Sequence, residues 1–242
     1  MIIPILHRLL DFIFPTACSY CRSPVEDSII PFFCTDCWAD FSLIQGQVCP
    51  RCGRPFESPE ALSASPEHEC GACRQRPPEY DQALSVGHFE GPLREAIHQF
   101  KYRPCLSLGK PLAQWMAGNV HLLSAIDFVM PVPLHRRRLR HRGFNQALFL
   151  ARGMSEAHGM PLSLNNLVRI RYTRPQVELS GAQRIENVAG AFSVNRPGEI
   201  GGTSVLLVDD VFTTGATLNE CAAVLKGAGA SRVTALTLAR AL

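Results

Sequence analysis

Four pairs of cysteines, each pair separated by two residues, lie between residues 18 and 73: Cys18/Cys21, Cys34/Cys37, Cys49/Cys52 and Cys70/Cys73. Chance placement of ten cysteines along the chain would give roughly 0.4 such pairs. A CxxC turn presents two thiolates to one tetrahedral ion, so four turns make two closed, structural zinc sites. The intervals between turns are 12, 11 and 17 residues, and they pair the turns in sequence order. Cys18, Cys21, Cys34 and Cys37 then hold one ion, and Cys49, Cys52, Cys70 and Cys73 the other. An interleaved pairing would close longer loops, at a greater cost in chain entropy. Redox chemistry is the competing use of CxxC, but no βαβ pattern surrounds these turns. A disulfide framework would need a denser cysteine content in an exported chain. Because each site closes a local loop, the spacing predicts a ribbon that could be lost without unfolding the remainder. Residues 53–69, GRPFESPEALSASPEHE, form a loop within the second site, and His68 reads as exposed rather than as a ligand.

Charge divides the chain at the same place. Residues 1–80 carry six basic and ten acidic side chains, and residues 81–242 carry 18 and 11. Of the 24 basic residues 21 are arginine, whose planar fork suits phosphate better than an ammonium does. With 46% hydrophobic residues the chain has material for a core, and no apolar stretch reaches the ~20 residues that span a bilayer. The opening MIIPILHRLLDFIF lacks a basic flank and is interrupted by His7, Arg8 and Asp11. It therefore reads as an amphipathic helix docked on the protein's own body rather than a signal peptide. The expected location is cytoplasmic; contact of that helix with the inner membrane surface is the alternative.

After Pro77 and Pro78 the cysteine pattern stops, which places a boundary between residues 1–79 and 80–242. Helices are predicted over 92–102, 108–123, 145–158, 180–188 and 216–226, the fourth with a Ser180/Gln183 capping box. Strands are predicted over 127–133, 166–170, 205–210 and 232–238, with an Arg-rich loop after the first and a mobile polar loop over 171–179. Alternation of this kind means a parallel sheet with helices on both faces. Trp115, Met116 and Phe149 read as core, and Cys105 and Cys221 as small buried hydrophobes.

The segment VLLVDDVFTTGAT, Val205–Thr217, joins a buried strand to a helix through two carboxylates, three hydroxyls and a glycine. Free N–H groups at the helix start favour an anion, Thr213, Thr214 and Thr217 add hydroxyls, and Gly215 allows close approach. Asp209 and Asp210 require donors or a cation on the same ligand, as ribose hydroxyls would supply. Solvated acids beside a plain helix cap are the bland alternative, and no Walker lysine is present. This segment resembles the phosphoribosyl diphosphate (PRPP) signature of type I phosphoribosyltransferases. The resemblance implies that Asp209 and Asp210 bind the ribose, and that Thr213, Thr214, Gly215, Ala216 and Thr217 hold the 5′-phosphate, with Mg2+ accompanying PRPP.

The four cysteine turns, PVPLHRRRLRHRGFNQA (131–147), Arg184 and Asn187 ahead of GAF (190–192), and the PRPP signature together resemble the ComF/GntX family. Membership implies a small double zinc-ribbon domain followed by a type I phosphoribosyltransferase-like domain, and a link to competence and the use of external DNA. It also makes Arg138, Arg140 and Arg142 candidates for pyrophosphate, with Gly143 and Asn145 shaping the turn. Which arginine points inward stays open. The same run could be a solvated basic face or a single-stranded DNA track on which Phe144 stacks. Lys101, Tyr102 and Arg103 resemble a segment that closes over the site.

No carboxylate stands at Thr213, where purine salvage enzymes of similar sequence place one, and the chain runs only four residues past the last predicted strand. The nucleobase hood is therefore expected to be missing and the acceptor is undefined. Two functions follow: an enzyme acting on PRPP, or a non-catalytic PRPP-sensing or single-stranded-DNA-handling adaptor with competence or DNA-processing proteins as partners.

Overall fold

Strand and helix alternate from residue 82 onward, as apolar runs followed by amphipathic segments require. The computed structural model describes residues 17–25, 30–56, 67–102, 105–120, 125–173 and 180–242. Two short helices, α1 (Thr35–Ala39) and α2 (Gly71–Gln75), belong to the cysteine-rich part. Then follow β1 (Gln82–His88), α3 (Gly91–Tyr102), α4 (Gly109–Gly118), β2 (Phe128–Pro131), α5 (Arg136–Arg142) and α6 (Gln146–His158). The chain continues through β3 (Leu167–Arg169), α7 (Gly181–Val188), β4 (Phe192–Val194), β5 (Ser204–Phe212), α8 (Ala216–Gly227) and β6 (Arg232–Arg240). The expected N-terminal helix, the middle of the 53–69 loop, Arg103 and residues 174–179 lie outside the described residues. No helix among the described residues is long and apolar enough to cross a membrane.

Strands β1, β6, β5 and β2 pair in that order, all parallel, while β3 and β4 form a separate antiparallel pair. Successive side chains of a strand face opposite ways, and both faces here are buried. Val205, Leu207, Val233 and Ala235 point into one core, which contains α8 residues Leu218, Cys221 and Leu225. Leu206, Val208, Leu236 and Leu238 point into the other, against Leu93 and Ile97 of α3, Leu112 and Met116 of α4, and Leu150 of α6. The α4–α6 crossing is close because Gly153 has no side chain: a Cβ there would meet the Ala113 Cβ at 2.4 Å.

The two cysteine tetrads lie on opposite faces of this sheet. Cys18 and Cys37 belong to the second core with Phe33 and Phe41, and Cys49, Cys52, Cys70 and Cys73 to the first with Tyr80 and Phe212. Edge strand β1 ties both to the sheet. Ile44 N donates to Val86 O at 2.9 Å and His88 N to Ser42 O at 2.8 Å, while Ala83 N donates to Arg51 O at 2.8 Å. An edge that would otherwise expose unpaired amides is thereby covered.

Several expectations change. The Arg-rich segment is not a loop but helix α5, started by His135, whose Nδ1 accepts from Arg137 N at 3.2 Å, and stopped by Gly143. Arginine is a good helix former, and the charge run concealed that. Strands β1 and β4 were not predicted, and the 108–123 helix ends at Gly118. His68 is half-buried, its ring 6.0 Å from that of Phe56, and it is not part of the tetrad. Trp115 and Phe149 are only partly buried, whereas Met116 is fully so.

Candidate functional site

Strand β5 delivers Asp209 and Asp210 to the carboxyl edge of the sheet, where parallel α/β folds open their ligand crevice. Thr213, Thr214 and Gly215 turn the chain into α8. Gly215 has φ +74°, a left-handed conformation suited to glycine, and a Cβ there would stand 2.6 Å from Phe212 Cζ. Thr214 Oγ1 accepts from Ala216 N at 3.4 Å, and the hydroxyls of Thr213 and Thr214 belong to exposed residues.

A cavity of about 820 Å³ gathers Asp209, Asp210 and the whole Thr213–Thr217 loop, with Arg94, His98 and Lys101 of α3 and Arg184 of α7. All seven residues of the PRPP-type signature therefore face one space. Lys101 Nζ pairs with Asp210 Oδ1 at 2.6 Å, and Asp210 N donates to Asp209 Oδ1 at 2.9 Å. Burial and the neighbouring Asp210 carboxylate push Asp209 up to about 7, with Lys101 opposing the shift. Two carboxylates on the cavity wall offer hard oxygen donors of the kind Mg2+ takes with its waters, so the pair fits that ion.

The arginine candidates are not in this cavity. Arg138 Nη2 donates to Thr173 O at 3.1 Å, Arg142 Nη1 donates to Gln146 Oε1 at 3.0 Å, and Arg140 is exposed. Phe144 is buried against Phe100 and Phe149 and offers no stacking face. The exposed ring on that side is Tyr172, with Arg137 4.8 Å from its centroid and His135 5.4 Å away. Sequence reasoning also missed Arg169. It is 8% exposed, its Nη2 donates to Thr173 Oγ1 at 2.6 Å, and its Nε has no hydrogen-bond partner among the described residues. Burial, then the Arg138 charge, holds its pKa below the usual arginine value, while Cys221 and Asp209 oppose that. The signal was an arginine on the Leu167 face of a short strand, where alternation predicts an apolar residue.

In each tetrad the four Sγ atoms lie within 4.8 Å of one another, and the pairing follows sequence order. Cys34 Sγ accepts from Cys37 N at 3.5 Å and Cys49 Sγ from Cys70 N at 3.3 Å, amide bonds that stabilise thiolates. The thiols differ with their surroundings: in the second tetrad burial pushes Cys52 up to about 11, and in the first hydrogen bonds from Ser23 bring Cys21 down to about 6. The donor set fits tetrahedral Zn2+.

Residues 9–74 match the family described as double zinc ribbon domain, and residues 142–242 match the phosphoribosyl transferase domain. Competence protein F of Haemophilus influenzae is 32% identical over 225 residues, covering 87% of this chain and 97% of that protein. The DNA utilization protein YhgH of Salmonella typhimurium is 32% identical over 234 residues, covering 94% and 98%. Among solved structures, a glutamine PRPP amidotransferase of B. subtilis complexed with ADP and GMP has 25% identity and a TM-score of 0.37, covering 53% of this chain and 25% of that one.

Proposed function

The chain belongs to the ComF/GntX family, a double zinc ribbon joined to a phosphoribosyltransferase domain, and we propose that it binds PRPP with Mg2+ and acts as a type I phosphoribosyltransferase in the use of external DNA. The observation that carries this reading is the single cavity shared by the acid pair and the Thr213–Thr217 loop. The 5′-phosphate accepts hydrogen bonds from the loop amides and threonine hydroxyls at the α8 N-terminus. The ribose hydroxyls donate to Asp209 and Asp210, with Lys101 giving up Asp210 as they enter. Mg2+ would offset pyrophosphate charge when bound. For the leaving group, the arginines on the Asp209 side are Arg169, whose charge acts on Asp209, and Arg138, held beside it through Thr173; reaching pyrophosphate requires both to turn toward the acid-pair cavity, which neither lines in this structure. Holding the ribose while withdrawing charge from the leaving group is what an oxocarbenium-like transition state asks of a protein.

Calorimetry of PRPP binding with and without Mg2+, for wild type and Asp210→Asn, tests this directly. Loss of one charged acceptor is typically worth roughly 1.5 to 3 kcal/mol, so affinity falls about tenfold or more. Equal affinity in both proteins would overturn the site. Pyrophosphate release in the presence of nucleobases or single-stranded DNA then separates enzyme from sensor.

One observation favours a second reading, an adaptor that handles single-stranded DNA. Tyr172, Ile170, Leu164 and Leu139 are exposed beside Arg136, Arg137 and Arg152, a basic face with an aromatic ring for base stacking. Under this reading Tyr172→Ala weakens oligonucleotide binding measured by anisotropy without changing PRPP affinity. The names of the relatives support a DNA-related role, and competence or DNA-processing proteins are the matching partners.

A further inference from the structure

Two buried side chains connect the second cysteine tetrad to the Thr213–Thr217 loop. Arg240, the last residue of β6, is 6% exposed; its Nη1 donates to Cys52 O at 2.7 Å and its Nη2 lies 3.8 Å from Cys52 Sγ. On its other side the guanidinium carbon stands 4.0 Å from the centroid of the Phe212 ring. Phe212 is equally buried, and its ring edge occupies the space beneath Gly215. Among the described residues no carboxylate pairs with Arg240. A buried cation needs a counter-charge, and a divalent ion held by four thiolates leaves a doubly negative site beside it.

We propose that Arg240 is a positioning residue that makes order in the phosphate loop depend on zinc in the second tetrad. With the ion in place, the guanidinium is held against Cys52 and presses Phe212 under Gly215. Without it, Arg240 loses its counter-charge and can turn away from Cys52 within a cavity of about 340 Å³ that it lines together with Cys52, Arg54, Tyr80 and Thr213–Ala216. Phe212 is then unsupported and the loop amides lose their fixed direction. Coupling is reciprocal, so a filled phosphate loop should also hold the zinc more tightly. The effect on PRPP rests on the function proposed above; the effect on loop order does not.

The test uses the full chain loaded with zinc. In Arg240→Gln, hydrogen exchange at the amides of residues 213–217 should rise about tenfold or more, while exchange in β2 stays at the wild-type rate. In Arg240→Lys, which keeps the charge but not the planar stack, the rise should be smaller. The second arm follows zinc release to a chromophoric chelator: PRPP with Mg2+ slows release of one of the two ions in wild type and neither in Arg240→Gln. Unchanged loop exchange in Arg240→Gln overturns the proposal, as does equal slowing of zinc release in both proteins. If Arg240→Gln does not fold, Phe212→Leu, which leaves the Cys52 contact in place, carries the same exchange measurement. If PRPP fails to bind even wild type, the function proposed above falls, and the exchange arm still decides the coupling.

Discussion

Asp209 stands where a carboxylate is least comfortable, partly buried and one residue from a second acid whose charge is already claimed by Lys101. Its value of about 7 lies well above the ordinary carboxylate range. Because the folded value is raised, its contribution to stability is fully present below that ordinary range and is lost as pH rises through 7. Ligand binding has the opposite sign, since ribose hydroxyls and Mg2+ need the ionised form. PRPP affinity should therefore tighten between about pH 6 and 8, with uptake of ligand releasing protons, and Asp209→Asn should flatten that profile. Calorimetry in buffers of different ionisation enthalpy measures the released proton, and a flat wild-type profile would remove Asp209 from the site. Arg169 permits a second separation of function from folding. Replacing a buried cation that pairs with no acid among the described residues by an apolar residue of similar length is often neutral or stabilising, whereas loss of a phosphate contact is not. Arg169→Met is thus expected to leave the thermal midpoint unchanged or raised while PRPP affinity falls about tenfold; a lowered midpoint with normal affinity would make the residue structural.

At the level of elements, the α4–α6 crossing sets two effects against each other. Gly153→Ala gains roughly 1 kcal/mol of helix propensity, but its Cβ would stand 2.4 Å from that of Ala113. Overpacking of this kind costs about 1 to 3 kcal/mol, so the net effect should be destabilising, read as a lower urea midpoint with unchanged m-value. A rise in midpoint would mean that the two helices part freely. Such crossings cannot be read from one chain position, whereas β5 and α8 were legible because an unbroken VLLV run, two acids and a glycine fall within a few residues. The capping box at Ser180 was legible for the same local reason. Strand β1 was not, because QALSVGH is short of β-branched residues and gains its pairing from β6, more than 140 residues away in sequence. The acid pair and phosphate loop could be found in the sequence, but Lys101 on Asp210 arises only when α3 lies beside the end of β5, and the burial of Arg169 against Phe192 only when β3 pairs with β4.

Across the whole molecule, the cysteine-rich part and the sheet share their interiors. Local spacing predicted ribbons that could come apart alone, yet Cys49, Cys52, Cys70 and Cys73 pack with Tyr80, Phe212 and Leu218, and Cys18 and Cys37 pack with Leu93 and Ile97 on the other face. Metal binding to a segment without a core of its own is folding free energy, and here that energy is delivered to both cores at once. We expect one cooperative unfolding transition, in which far-UV circular dichroism and release of two zinc ions have the same denaturant midpoint. Cys73→Ser should lower that common midpoint rather than split it, and Cys37→Ser should do the same from the opposite face. The backbone bonds from Ile44, His88 and Ala83 across edge strand β1 make this a single unit, since neither ribbon can leave without exposing that edge. Zinc release well before loss of secondary structure, with the 80–242 portion still folded, would show instead that the ribbons are separable bodies and that burial of their cysteines contributes little to the sheet.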